Sequence, residues 1–269
     1  MATRMTSGSI ERGGLGGVPR VLVLSKVRRI MDALTPSAPQ LTVQEITIAT
    51  GLPATTCHRL VTNLVHEGFL ERIGDHYRIG LAALRWGSLA LEGRTLLSVA
   101  RPILDQLRDE TGESAHLCVR DREYRVMVAV SQSKQGILRL LHVGEVLPLH
   151  VGSTGKVFLA FDNDAPMPPQ APYERYTPNT IVDEKILETE IKKIRLAGYA
   201  VSWQERDLDA VGITAPVLDR RGRMIAAVGV SGPLLRMEVA ADQHVSKVLT
   251  AAAAIADQVD NMASYGTGV

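Results

Sequence analysis

Residues 42–69 read TVQEITIATGLPATTCHRLVTNLVHEGF, and their reading decides the architecture of the N-terminal part of the chain. Thr42 followed three positions later by Glu45 is a capping-box pair, so Thr42 is expected to open a helix. Gly51 supplies the left-handed residue that ends it. Pro53, tolerated where a first helical N–H has no partner, starts a second helix almost at once. Two helices joined by so short a turn form a helix-turn-helix. In the second, Cys57, Leu60, Val61 and Leu64 recur at helical spacing and point inward. Ala54, Thr55, Thr56, His58, Arg59, Thr62 and Asn63 occupy the remaining surface. They are short polar groups with one guanidinium, and no acidic side chain precedes Glu67. That set suits base edges and phosphates better than it suits mere solubility. At about 15 residues this helix would be roughly 22 Å long, enough to lie in a major groove. The competing account is an ordinary helical hairpin in a small bundle.

Upstream, Val23, Val27, Ile30, Met31 and Leu34 fit a helical stripe that leaves Ser25, Arg28 and Arg29 outside, and Pro36 and Pro39 end it. Downstream, FLERIGDHYRI alternates around a Gly74-Asp75 turn, which predicts a two-stranded hairpin. Three helices followed by a hairpin make a winged helix, with Arg72, His76 and Arg78 offered at the wing for phosphate contact. Residues 1–19 are rich in Gly and Ser and read as a flexible tail. Residues 20–80 form the winged domain, and 81–98 a leucine-bearing linker helix able to bury one face against a second subunit.

From residue 99 the period changes. A helix over Val99–Thr111, with Pro102 in its first turn, precedes short β-branched runs at Ala115–Arg120, Arg125–Val130 and Ile137–Leu141. LPLHVGSTGKVFLAF is a strand end, a turn and a helix from about Ser153 to Phe161. Residues 162–180 form a proline-rich loop, and Asp183 opens a helix that stops at Gly198. Strands follow at Tyr199–Gln204, Val211–Leu218 and Met224–Ser231, then a closing helix from Glu238 to about Met262. Helices gathered at the ends and on one face of an antiparallel sheet give an α+β domain over 99–262, with 263–269 as a tail.

Composition excludes several classes. The chain has 269 residues, enough for two domains, and a net charge of +1, so bulk attraction to nucleic acid or membrane is absent. Residues 1–80 hold nine Lys/Arg against six Asp/Glu, a net +3 that leaves −2 for the rest. Two cysteines, Cys57 and Cys118, in separate expected domains give no disulfide framework, which fits a reducing cytoplasm. No apolar run is long enough for a membrane helix. The seven histidines lack ligand spacing, so no metal or other cofactor is expected.

Catalytic motifs are near misses. GSTGK at 152–156 has two residues between its glycines where a phosphate loop needs four, and Val157 stands where Ser or Thr is required. Its turn should still open a helix whose free N–H groups favour an anion such as a carboxylate. Gly229-Val230-Ser231-Gly232 lacks the strand-to-helix setting of a nucleophile elbow. Catalytic residues are therefore expected to be none.

The motif order resembles the IclR family of bacterial transcription regulators. The resemblance rests on TGLPATTCHRLVTNLVHEGFLER with YRIG, ARPILDQLRDETGESAHLCV, LPLHVGSTGKVFLAF, AGYAVSWQE and ITAPVLDRRGRMIAAVGVSGP, and spans about residues 21–260. It implies an N-terminal winged helix-turn-helix, a linker helix and a C-terminal GAF-like α/β effector domain. It also implies homodimers, often paired into tetramers, on double-stranded operator DNA, with a small metabolite controlling affinity and repression the commoner outcome. On that basis Arg28, Thr42, Thr55, Thr56, His58, Arg59, Thr62, Asn63, Arg72 and Arg78 are DNA-binding candidates. Leu147, Ser153, Thr154, Gly155, Ser202, Gly212, Gly229 and Ser231 carry over as effector-pocket positions. Ser202 stands where relatives that bind small keto-acids have an acid, and Gly212 and Gly229 stand where they have a thiol or hydroxyl. Two glycines leave room, which suggests a larger, less polar ligand such as an aromatic acid. The alternatives are an enzyme carrying a DNA-binding appendage and a winged-helix module that docks a protein.

Overall fold

The computed structural model describes residues 21–35, 38–91, 95–137, 140–168 and 172–265, and the chain divides into two compact units at Gly93 and Arg94. The expected tail 1–19 lies outside the described residues, as do Pro36 and the last four residues.

The first unit contains α1 (Leu22–Ala33), β1 (Leu41–Thr42), α2 (Val43–Thr50), α3 (Ala54–His66), β2 (Leu70–Ile73), β3 (His76–Ile79) and α4 (Leu81–Leu91). The capping box forms as read: Thr42 Oγ1 accepts the Glu45 N–H at 3.2 Å while the Glu45 carboxylate accepts the Thr42 N–H at 2.8 Å. Gly51 closes α2 with φ 61°, and Arg29 donates to the Thr50 carbonyl at the same helix end, where a cation is favoured. Thr42→Ala is expected to lower the stability of this unit by about 1 kcal/mol; the urea midpoint of the purified chain reads it.

Cys57, Leu60, Val61 and Leu64 are buried against Ile30, Ile46, Leu70 and Tyr77. The structure refines three expectations here. Pro53 is the cap residue rather than the first helical one, so α3 has 13 residues. Val23 is exposed, because α1 buries its C-terminal half, with Val27, Met31 and Leu34 flanking Ile30. The hairpin is also joined by a third strand, β1, paired through Leu41 with Tyr77.

The second unit contains α5 (Thr95–Thr111), β4 (Ser114–Asp121), β5 (Tyr124–Ser131), β6 (Val146–Pro148), α6 (Gly152–Phe161), α7 (Glu184–Ala197), β7 (Ala200–Trp203), β8 (Ala210–Leu218), β9 (Met224–Pro233) and α8 (Leu234–Tyr265). Its strands form one antiparallel sheet in the order β6-β5-β4-β9-β8-β7. Helices cover both faces of the sheet, not one. The first core packs α5 and α8 on Leu117, Val211, Ile213, Ala215, Val228 and Val230. The second packs α6 and α7 on Cys118, Met127, Ala200 and Ala227. The alternation explains this: β4, β8 and β9 are buried on both sides, so each face needs a cover.

Other boundaries move. The segment read as one linker over 81–98 comprises α4 and the start of α5, so Pro102 lies inside α5 rather than in its first turn. The described residues of the run Ile137–Leu141 are not a strand; the edge strand is β6. Helix α8 begins at Leu234 and runs to Tyr265. No helix among the described residues is long and apolar enough to cross a membrane.

Candidate functional site

Two surfaces carry chemistry, one in each unit. In the first, α3 buries one stripe and exposes Thr55, His58, Arg59, Thr62 and Asn63, with Thr56 half-buried. The Arg59 guanidinium and the His58 ring have no partner among the described residues. A shallow groove beside them is lined by Val43, Gln44 and Thr47 of α2 and by Ala54, Thr55, His58 and Arg59 of α3. Gln44 and Thr47 were not singled out from the sequence; their helical spacing on α2, facing the start of α3, is the signal that finds them. Two sequence candidates are engaged with their own helix: Thr62 Oγ1 donates to the His58 carbonyl at 2.9 Å and Asn63 Nδ2 to that of Arg59 at 2.7 Å. Thr42 is held in its cap, where its hydroxyl also donates to Glu45 at 2.8 Å.

The arginines expected at phosphates are pre-engaged. Arg28 lies 3.1 Å from Asp32 and Arg78 2.8 Å from Glu71. Arg72 Nε donates to the Gly74 carbonyl at 2.8 Å, and its guanidinium lies over the Tyr77 ring. His76 sits 2.6 Å from Asp75, whose carboxyl is held below its ordinary range by that contact.

In the second unit, the sheet face under α6 carries small and hydroxyl side chains instead of large apolar ones. Register aligns Ser202, Gly212, Ser231 and Ser114 across β7, β8, β9 and β4, and beside them Thr214, Gly229 and His116. The first turn of α6 meets this surface. Ser153 Oγ is 2.8 Å from Thr214 Oγ1, Thr154 Oγ1 is 3.1 Å from the same atom, and His116 Nε2 is 3.1 Å from Thr154 Oγ1. A cavity of about 40 Å³ remains, bordered by Ser153, Thr154, Ser202, Gly212 and Ser231 from the sequence candidates. That is room for a few waters.

Leu147, Gly155 and Gly229 do not border it. Leu147 is half-buried in β6. A Cβ at Gly155 would stand 2.3 Å from the Leu149 carbonyl oxygen, so this glycine lets α6 rest on the preceding loop. The two-glycine argument for a roomier pocket fails for the same kind of reason. At Gly229 a Cβ would meet the Ile213 carbonyl at 2.3 Å, and at Gly212 it would meet Ser153 Oγ at 2.9 Å. Main chain fills the space at Gly229, while at Gly212 the Ser153 hydroxyl stands in it at the border of the cavity.

The expected anion seat at the start of α6 is also filled. Gly152 N–H donates to Glu205 Oε2 at 3.1 Å, and Glu205 Oε1 accepts from Lys156 Nζ at 2.5 Å. Lys156 is 1 % exposed, so the lysine of GSTGK neutralises an interior carboxylate and is turned away from any phosphate. Glu205 is anchored in turn, its carbonyl accepting from the hydroxyls of Thr177 and Thr180.

Sequence reasoning missed His116, Arg125, Met127, Leu141, Glu205, Arg206 and Asp207, all of which border the cavity. The signal for Arg125 was present: in β5 it is in phase with Met127, which packs under α6, while an irregularity after Met127 turns Ala129 and Ser131 toward α5. Arg206 pairs with Glu145 through two bonds of 3.0 and 2.5 Å. Burial pushes the Cys118 thiol up to about 12, leaving it an inert packing group. Ser231 Oγ donates to the Val211 carbonyl at 3.3 Å. Among the described residues no group of three or more His, Cys, Asp or Glu side chains could hold a metal ion.

Comparison with known proteins agrees with this geometry. The family model described as the C-terminal part of the bacterial transcriptional regulator IclR matches residues 88–259, and the IclR helix-turn-helix model matches 23–74. The chain is 28% identical over 225 residues to the transcriptional repressor IclR of Escherichia coli, covering 81% of this chain and 82% of that one. An IclR regulator of Alicyclobacillus acidocaldarius shares its fold with a TM-score of 0.75 at 22% identity, covering 89% of this chain and 99% of the other. An IclR homologue of Microbacterium hydrocarbonoxydans, crystallised with 4-hydroxybenzoate, superposes with a TM-score of 0.70 at 26% identity over 87% of this chain and 98% of the other.

Proposed function

The chain belongs to the IclR family of bacterial transcriptional regulators, and from that premise we propose that it is a repressor whose hold on its operator is set by an organic acid bound beneath α6. Residues 20–80 are the DNA-binding domain, 81–98 the link, and 99–262 the effector-binding domain. The observation that carries the reading is the outer face of α3: an exposed helix face whose Arg59 and His58 have no partner among the described residues, while its opposite stripe is buried in the core of the unit.

The protein acts in the cytoplasm as a homodimer that can pair into a tetramer. A symmetric pair sets two copies of α3 in successive major grooves, roughly 34 Å apart along the duplex. Thr55, Thr56, His58, Arg59, Thr62 and Asn63 face the bases, while Arg28, Arg72 and Arg78 take phosphates and Thr42 acts through its cap. The effector lies among Ser153, Thr154, Ser202, Gly212 and Ser231, while Gly155 and Gly229 act only by allowing the close packing behind them. The relative that holds 4-hydroxybenzoate supports an organic acid. A ring-bearing acid needs more room than the resting cavity offers, so its binding displaces side chains of the lining. Binding and release are the whole activity, with no catalysis.

Footprinting on the promoter of its own gene tests the function: two protected half-sites one helical turn apart are expected. A gel shift insensitive to salt would instead favour a protein-docking winged helix, because phosphate neutralisation always carries a salt dependence. Arg78→Ala is expected to weaken operator and random DNA alike and to flatten the slope of log affinity against log salt by about one unit.

A further inference from the structure

The charged side chains beneath α6 are matched with one exception. Lys156 has Glu205, and Arg206 has Glu145. Arg125 is 7 % exposed and has no carboxylate within ion-pair distance among the described residues. Its Nη2 makes one long bond of 3.3 Å to the Val151 carbonyl, and its buried Nε has no hydrogen-bond partner. Burial holds its pKa below the ordinary arginine value, the mark of a cation whose charge is poorly compensated. Five donors in a fixed fork, with the buried Nε unpartnered and one long bond from Nη2, are a costly interior arrangement that a carboxylate would complete.

The position matters as much as the charge. Arg125 borders the same cavity as Ser153, Thr154, Ser202, Ser231 and His116, and its Nη2 lies beside the first residue of α6. The N–H of that residue is already taken by Glu205, so the helix start cannot serve as the anion's seat without displacing a resident carboxylate. The remaining positive site is the guanidinium. The hydroxyl wall can both donate to and accept from a second oxygen.

We propose that Arg125 is the effector's carboxylate receptor, and that the effector is a carboxylate with a second oxygen, hydroxyl or oxo, received by the serine and threonine hydroxyls under α6. This rests on the effector-pocket reading above and adds the residue and the ligand chemistry that fix its charge. Arg125 reaches the start of α6 from β5, so a carboxylate on its guanidinium is held by a side chain of the sheet and not by the helix N–H groups.

The test compares the wild type with Arg125→Met and Arg125→Lys by thermal unfolding and calorimetry. The probes are acetate, glycolate, pyruvate, 4-hydroxybenzoate and the neutral 4-hydroxybenzamide. Without any acid, R125M is expected to melt above the wild type, since it removes an uncompensated interior charge. At least one hydroxy- or oxo-acid should bind the wild type, and acetate and the amide should not match it. R125M should lose about tenfold or more of that affinity, as expected for a charge-assisted bidentate contact, and R125K should retain part of it. Four results overturn the proposal: R125M melting below the wild type, equal binding to wild type and R125M, equal binding of acid and amide, or no binding by any acid of the panel. Operator binding is scored separately by gel shift. A wild type that binds acid but no DNA sinks the regulator reading and leaves the receptor standing.

Discussion

Arg59→Ala is expected to cost about 5- to 150-fold in operator affinity, the roughly 1–3 kcal/mol that a bidentate arginine–guanine contact contributes. Several features make this the cleanest test of the DNA face. The side chain is exposed, and no described residue engages its guanidinium, so its removal leaves no buried group unpaired and does not touch the core under α3. The unfolding midpoint should therefore stay within experimental scatter of the wild type. The loss should also be selective. Affinity for random duplex should fall far less than affinity for the operator, because a base-reading group carries discrimination that a phosphate-binding group does not. Anisotropy titrations of operator and scrambled duplex at one fixed salt concentration read both quantities. Equal affinity of mutant and wild type for the operator would mean that α3 presents a different face to DNA.

The second large effect concerns stability of the C-terminal unit. Lys156→Ala leaves Glu205 buried with a single main-chain N–H on its carboxylate, removes the cation that also lies 3.7 Å from Glu190, and should destabilise this unit by about 3–5 kcal/mol. The double variant Lys156→Met, Glu205→Leu removes both charges and keeps most of the volume, and it should recover most of the loss. Chemical denaturation followed by circular dichroism distinguishes the two. A double variant no better than the single would show that Glu205 acts through Gly152 and its surroundings more than through the lysine.

What could be read in advance followed from the range of the forces involved. The capping box at Thr42 and Glu45, the stop at Gly51 and the buried stripe Cys57, Leu60, Val61, Leu64 all depend on neighbours within one helical turn, and all are found. The α7 boundaries at Asp183 and Gly198 were legible for the same reason. The two-residue strand β1 was not, since so short a run has no period of its own and exists only through its partner Tyr77, and β6 was legible only as a strand end at Leu147 and Pro148. Pocket chemistry was half legible. The turn at Ser153 and Thr154 could be located, but the sheet row it meets joins residues from β4, β7, β8 and β9, which are brought together only by folding. Arg125 was overlooked because arginine in an alternating strand is ordinarily taken for the solvent side, although its phase with Met127 says otherwise. The phosphate loop was excluded on spacing, but the part Lys156 plays instead was not legible, because its partner Glu205 is 49 residues away in the chain.

The pairing of Arg28 with Asp32 and of Arg78 with Glu71 has a kinetic consequence. A guanidinium that gives up a carboxylate to take a phosphate gains only the difference between two partners, and it leaves the carboxylate facing the DNA. Each such exchange holds down the residence time on arbitrary chromosomal sequence. On the proposed DNA face, Arg59 has no such partner to surrender among the described residues, so its full contribution is expected only where a matching base is met. Dwell times on operator and on random duplex, compared by single-molecule tracking, are then expected to differ more than their association rates.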